Sequence, residues 1–188
     1  MRIVALIVAV VSFPLLAEAA DKDARFGSPR TLALSGSISL YNARTGDTNL
    51  TVLSLAPTGM FFVTDNFAVG LGLGLGWFKP SDGDSTTTVS FVPTVGLNVP
   101  VAPAVSVFPQ VGVGYGRNSA GGGGSSFSST RVALQGFVPV LVHVGNFFLG
   151  GGPMLEREIY ASYESSGVSR DANETTTFGL MTMLGGWL

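Results

Sequence analysis

The chain has 188 residues, of which 12% are charged and 46% hydrophobic, with 26 glycines, no cysteine and a formal net charge of −2. A soluble all-β protein of this length needs a polar outer face, and this charge content falls far below the roughly 25% usual in soluble domains. The lack of cysteine excludes disulfides and thiolate chemistry, and the slightly acidic balance leaves no electrostatic footprint for a nucleic-acid partner.

The N-terminus reads as a targeting segment. Met1 and Arg2 precede an apolar run over 3–16, and Ala17-Glu18-Ala19 has the small-x-small form of a cleavage site. Residues 1–19 are predicted to be a secretory signal peptide cut after Ala19 or Ala20; Pro14 and the shortness of the run argue against an anchor. Residues 20–30 are polar and predicted to form a periplasmic lead-in, leaving 31–188 as the folded domain. Past the N-terminus no apolar run reaches the ~18 residues of a helical span. A hydrophobic chain without such a helix points to a membrane β-barrel, because only helices and closed barrels satisfy the backbone in lipid.

From Thr31 onward one theme repeats: large apolar residues alternate with small or polar ones. A period of two places successive side chains on opposite faces of a strand. Strand one carries Leu32, Leu34, Gly36, Ile38 and Leu40 on one face; a turn at 45–48 leads to strand two, with Leu53, Leu55, Pro57, Gly59 and Phe61. Residues 64–66 form a tight turn into strand three, residues 67–78, where Phe67, Val69, Leu71, Leu73, Leu75 and Trp77 alternate with Ala68, Gly70, Gly72, Gly74 and Gly76. As a helix that stretch would place glycine on every face, each costing about 1 kcal/mol against alanine. After a polar loop over 79–86, strands four (89–99) and five (105–116) flank a turn at 100–103. A loop over 117–129 precedes strand six (130–144); Gly145-Asn146 is a hairpin turn into strand seven (147–160), and a polar loop over 161–173 leads to strand eight (174–188).

The connections after strands two, four and six are short, and those after three, five and seven are long and polar, as in outer-membrane barrels with short periplasmic turns and longer outer loops. Aromatics gather near strand ends: Phe61, Phe62, Phe67, Phe147, Phe148 and Trp187 toward the turns, and Tyr41, Trp77, Phe78, Tyr115, Tyr160 and Phe178 toward the loops. They predict two interfacial girdles. Pro57, Pro93 and Pro109 fall mid-strand and are expected to be outward-facing bulges. A soluble lipocalin-like barrel would turn the Leu/Val face inward. Residues 67–78 and 89–116 hold no charge, which is unusual for a water-facing surface. The Leu/Val face is therefore predicted to meet outer-membrane lipid.

The pattern resembles the outer-membrane β-barrel family, the small OmpA/OmpX-like barrels of Gram-negative envelopes, across 31–188. The stretch Gly-Met-Phe-Phe-Val-Thr-Asp-Asn-Phe-Ala-Val-Gly over 59–70 is similar to that family's second strand, periplasmic turn and third strand. The closing strand is similar too, and the resemblance implies that Phe178, Leu180, Leu184, Trp187 and Leu188 carry the signal read by the barrel assembly machinery. It implies an all-β, eight-stranded antiparallel up-and-down transmembrane barrel, monomeric, in the outer membrane.

Little chemistry is written in the chain. His143 is the sole histidine and sits near the turn end of strand six, so a catalytic role would need a nucleophile and an acid beside it. Arg131, Glu156 and Glu158 fall on neighbouring strands toward the loop end, where inward-facing they would form either an ion pair plugging the upper lumen or a polar constriction. Asp82-Gly83-Asp84 offers too few oxygens for Ca²⁺, and residues 121–124 lack the Lys-Ser/Thr and helix of a phosphate loop. The Asn49 and Asn173 sequons have no use in a bacterial barrel. The glycine face is filled by Phe108, Phe137, Met154, Met181 and Met183 leaning inward, or else it leaves a thin water channel. No cofactor, metal or catalytic residue is predicted. The leading expectation is a non-enzymatic envelope protein with a structural or surface-interaction role, its loops free to hold an external ligand. A narrow porin-like channel is the alternative and an outer-leaflet lipid hydrolase a third reading.

Overall fold

A computed structural model describes residues 25–45, 48–81, 84–122, 125–165, 168–171 and 173–188. The predicted signal peptide (1–19), the start of the predicted lead-in (20–24) and residues 46, 47, 82, 83, 123, 124, 166, 167 and 172 lie outside these.

The alternating stretches form antiparallel strands: β1 (Leu32–Thr45), β2 (Thr48–Thr64), β3 (Phe67–Pro80), β4 (Thr86–Leu97), β5 (Val99–Ala102), β6 (Val105–Val107), β7 (Gln110–Gly122), β8 (Ser125–Phe137), β9 (Val140–Val144), β10 (Phe147–Ser165), β11 (Val168–Asp171) and β12 (Thr176–Trp187). Eight of them, in the order β1-β2-β3-β4-β7-β8-β10-β12, close on themselves into a barrel. β5, β6 and β9 continue β4, β7 and β8 at the turn end, past short breaks at Asn98, at Phe108 and Pro109, and at Val138 and Pro139. β11 is a flap on the upper part of β10. The strands reach further toward the loop end than the alternation alone marks: β7 runs to Gly122 and β8 starts at Ser125, inside the predicted loop.

Alternation sets the faces. Along β3, Leu71, Leu73 and Leu75 point outward and are exposed, while Ala68 is buried. Asn66 and Gly145 adopt positive φ (62° and 58°) in the tight turns before β3 and β10, the conformation Gly and Asn accept most readily.

Two expectations need correction. Pro57 and Pro93 face outward but do not bulge the sheet. The β2–β3 ladder passes from Leu55↔Leu75 to Thr58↔Gly72, and the β4–β7 ladder from Phe91↔Tyr115 to Thr94↔Gly112, with the register unchanged. Each proline removes a donor and leaves a local gap without inserting a residue. Pro109 instead lies in the break between β6 and β7, where its carbonyl accepts from Leu97 N–H (3.0 Å). The irregularities that shift register are elsewhere, at Val63, Val101 and Ile159. The second correction concerns the turn-end aromatics. Phe61, Phe67 and Phe147 point outward, but Phe62, Phe148 and Trp187 point into the barrel and are buried.

Candidate functional site

The lumen is built in three layers. At the turn end, the inward side chains Met60, Phe62, Ala68, Phe108, Leu141, Phe148 and Trp187 form one apolar cluster with Phe26, which belongs to the segment before β1. The Phe26 ring centroid lies 5.1 Å from Phe62, 5.3 Å from Phe108, 5.0 Å from His143, 5.3 Å from Phe148 and 5.6 Å from Trp187. Edge-to-face and tilted contacts at these distances are the favoured aromatic geometries. The N-terminal segment therefore folds back into the barrel mouth and closes it.

Backbone and amide bonds hold that segment. Asn66 N–H donates to Gly27 O (2.7 Å), Arg30 N–H to Phe62 O (2.8 Å), and Asn98 Nδ2 to both Phe26 O (3.3 Å) and Asn66 Oδ1 (3.0 Å). Asn98 is 3% exposed, and its place at the break between β4 and β5 is explained by this task. Gly27 adopts φ +97°, and a Cβ there would meet the Asn66 and Asn98 amides at 2.6 and 2.7 Å.

Above the cluster lies a cavity of about 230 Å³. Its wall includes Ser35 and Ser37 of β1, Gly72 of β3, Gln110 of β7, and Met181 and Met183 of β12. Phe137 reaches its edge, but the inward aromatics and methionines leave it unfilled. Gln110 is buried, and among the described residues its Nε2 has no hydrogen-bond partner.

The third layer is polar. Arg131 Nη1 on β8 lies 3.3 Å from Glu156 Oε1 and 3.7 Å from Glu158 Oε1, both on β10. Gln135 Nε2 donates to the other oxygen of Glu156. Glu158 Oε2 also accepts from Thr175 N–H (2.9 Å), tying the residues before β12 to the rim. A further pair, Arg157 Nη2 to Glu174 Oε2 (2.9 Å), is exposed.

His143 is at the turn end, where Nε2 shares a hydrogen bond with Ser106 Oγ (2.9 Å) and Nδ1 has no partner among the described residues. Ser106 is buried beneath the aromatic cluster. A serine and histidine without an orienting acid, closed off from substrate, lack the arrangement of a hydrolase. Among the described residues no group of three or more His, Asp or Glu is placed to hold a metal. On β12, Phe178, Leu180 and Leu184 share the outward face, while Trp187 faces inward and Leu188 exchanges two backbone bonds with Leu32 (2.8 and 3.1 Å). Sequence reasoning gave Phe26, Asn98 and Gln110 no role. Asn98 and Gln110 stood out only as amides within otherwise apolar or small strands.

A closed antiparallel barrel with an apolar outer band is the outer-membrane β-barrel fold. Solved structures share it. The translocator domain of autotransporter NalP from Neisseria meningitidis aligns at a TM-score of 0.53 and 16% identity over 98% of this chain and 70% of that one. A major outer membrane protein from Thermus thermophilus aligns at 0.51 and 15% over 84% of this chain and 97% of that one. No family model and no curated protein matches the chain.

Proposed function

We propose that this chain is a small, non-enzymatic barrel of the Gram-negative outer membrane, exported by cleavage of residues 1–19 and monomeric, with a structural or surface-interaction role. The observation that carries this reading is the occlusion of the lumen: the Phe26 cluster blocks one end and the Arg131–Glu156–Glu158 group narrows the other. The outward Leu/Val band supports immersion in lipid, since a barrel of this size needs an apolar belt about 25 Å tall. The outward row Phe178, Leu180 and Leu184, followed by Trp187 and Leu188, suits an assembly signal presented at the closing strand. The loop-end rim is where an external ligand would be met.

The alternative, a narrow pore, draws on the central cavity, whose wall carries Ser35, Ser37 and Gln110. Single-channel recording in a planar bilayer separates the two. With insertion verified by protection of β3 from added protease, the occluded barrel stays electrically silent; steady ion-conducting steps refute it and favour the pore.

A further inference from the structure

The barrel wall is not equally complete all round. β1 pairs β2 over fourteen residues and β12 pairs β10 over eleven, but β1 and β12 pair over only four, from Ala33↔Trp187 to Gly36↔Leu184. Above Gly36, among the described residues, neither strand has a partner on the facing side. The side chains record the gap: Ile38, Leu40, Phe178 and Leu180 are 69–85% exposed, against 39–47% for Leu71, Leu73 and Leu75 on the intact wall. The unpaired stretch of β12 from Phe178 to Met183 covers about 20 Å of strand, or roughly 15 Å of the ~25 Å apolar belt at usual barrel tilts. It occupies the loop-end half.

An open sheet edge in hydrocarbon is costly, because its N–H and C=O groups find no partner there, and it is tolerated only where it borders a wet or occupied cavity. That cavity is present. Ser35, Gly36 and Ser37 on one lip and Met181, Thr182 and Met183 on the other line the 230 Å³ space. In the ring of eight, β7 stands across the lumen from this seam, and on it Gln110 Nε2 is an unpartnered donor, its residue 8% exposed. An apolar cavity of about 150 Å³ suffices for benzene, so this one has room for a short length of alkyl chain.

We propose that the gap between β1 and β12 is a lateral port through which a single-chain amphiphile from the outer leaflet places its hydrogen-bond-accepting head in the lumen against Gln110, with its chain passing out between the strands. This rests on the outer-membrane reading above. The aromatic floor closes the turn end and the Arg131–Glu156–Glu158 group narrows the loop end, which leaves the seam as the direct way in from the bilayer. A strand from another protein would also satisfy the bare edges, but it would have no use for a cavity behind them or for the donor at its back wall.

The two tryptophans give a direct test. Trp77 faces outward, and Trp187 sits in the lumen floor. In nanodiscs, Trp77→Phe leaves Trp187 to report, and Trp187→Phe leaves Trp77. The probes are a fatty acid brominated beside its carboxyl group, the part that enters the lumen, added to an ordinary bilayer, and a bilayer of brominated-chain phospholipid. Ile38→Cys with Thr182→Cys, in a chain that has no other cysteine, locks the seam on oxidation. Expected are saturable quenching of Trp187 by the fatty acid, its loss on oxidation and recovery on reduction, and weaker binding in Gln110→Leu. Should the disulfide not form, Gly72→Leu fills the cavity instead; a Cβ there meets its nearest neighbours at an ordinary 3.4 Å. Quenching by the phospholipid alone that the lock removes assigns the port to membrane lipid. Quenching of Trp187 that neither the lock nor Gly72→Leu changes, or none at all while Trp77 is quenched, overturns the port. Disulfides between two copies through Ile38→Cys overturn it in favour of strand pairing. If Trp77 is not quenched by brominated phospholipid, the outer-membrane reading itself fails.

Discussion

Phe26→Ala tests whether the segment before β1 is part of the fold. The side chain is 9% exposed and meets five rings at centroid distances between 5.0 and 5.6 Å. Removing a buried phenylalanine from a packed core costs about 3–5 kcal/mol. Here the low end applies: the site lies at the barrel mouth, and water can reach the space left behind. The backbone bonds from Asn66 to Gly27 and from Arg30 to Phe62 remain, which also limits the loss. A cost of ~3 kcal/mol changes the folded-to-unfolded ratio roughly 150-fold. Urea unfolding in lipid vesicles, followed by Trp187 fluorescence, reads this as a lower midpoint with an unchanged slope. Arg25→Ala is the control; its side chain is exposed and should shift stability by less than about 0.5 kcal/mol. A Phe26→Ala loss under about 1 kcal/mol, well below the range for a buried aromatic, refutes the seating of this segment.

Further substitutions probe the wall and the rim. Gly70→Ala should be severely destabilising, since its Cβ would fall 2.2 Å from Gly59 O and 2.9 Å from Met60 Cα, whereas Gly72→Ala should be tolerated with its nearest contact at 3.4 Å; midpoints of urea unfolding compare them, and equal midpoints count against the packing described. Leu73→Arg puts a charge on the outward face and should cost about 2–4 kcal/mol if that position lies near the bilayer midplane; a variant that refolds into vesicles with native stability sinks the lipid-facing assignment. Arg131→Leu strips Glu156 and Glu158 of their shared cation and should cost about 1–3 kcal/mol. Adding Glu156→Leu and Glu158→Leu should recover part of that loss, and a strictly additive triple variant would mean that the ion pairs contribute nothing.

The strands and their faces were legible because period-two alternation is a local property. Val89, Phe91 and Val95 against Ser90, Val92 and Thr94 fix both the element and its two sides before any partner is known. The order of strands follows from short turns at alternate connections. What stayed hidden depends on contacts across the lumen. Phe62, Phe148 and Trp187 sit beside Phe61, Phe147 and Leu188, and two adjacent large apolar residues at a strand end do not reveal which member turns inward. Phe26 lies in a polar stretch without periodicity, so nothing local marks it as a core residue; only its distances to rings on β2, β10 and β12 do. The effect of Pro57 and Pro93 was misread because a proline signals a missing donor, and a missing donor leaves the register free to continue or to shift.

The glycines show how one sequence pattern serves two purposes along the same wall. Toward the turn end, glycine stands where a neighbour's large side chain lies over the backbone: a Cβ at Gly96 would meet the Phe108 ring at 2.9 Å, at Gly150 it would meet Leu141 Cδ2 at 2.3 Å, and at Gly185 Phe148 Cζ at 2.4 Å. These positions thin the wall so that the aromatic floor can fit inside a narrow barrel. Higher up, Gly72 and Gly114 meet nothing closer than 3.4 and 3.2 Å, and the nearest atoms belong to side chains. At Gly72 this leaves room on the wall of the central cavity. Had Gly72 served only to ease curvature, filling it would leave binding in the lumen unchanged. Stability that survives filling at Gly72, set beside a lumen that then no longer admits an alkyl chain, separates the two purposes: the glycines under the aromatic floor make room for its side chains, and Gly72 keeps the cavity above it hollow.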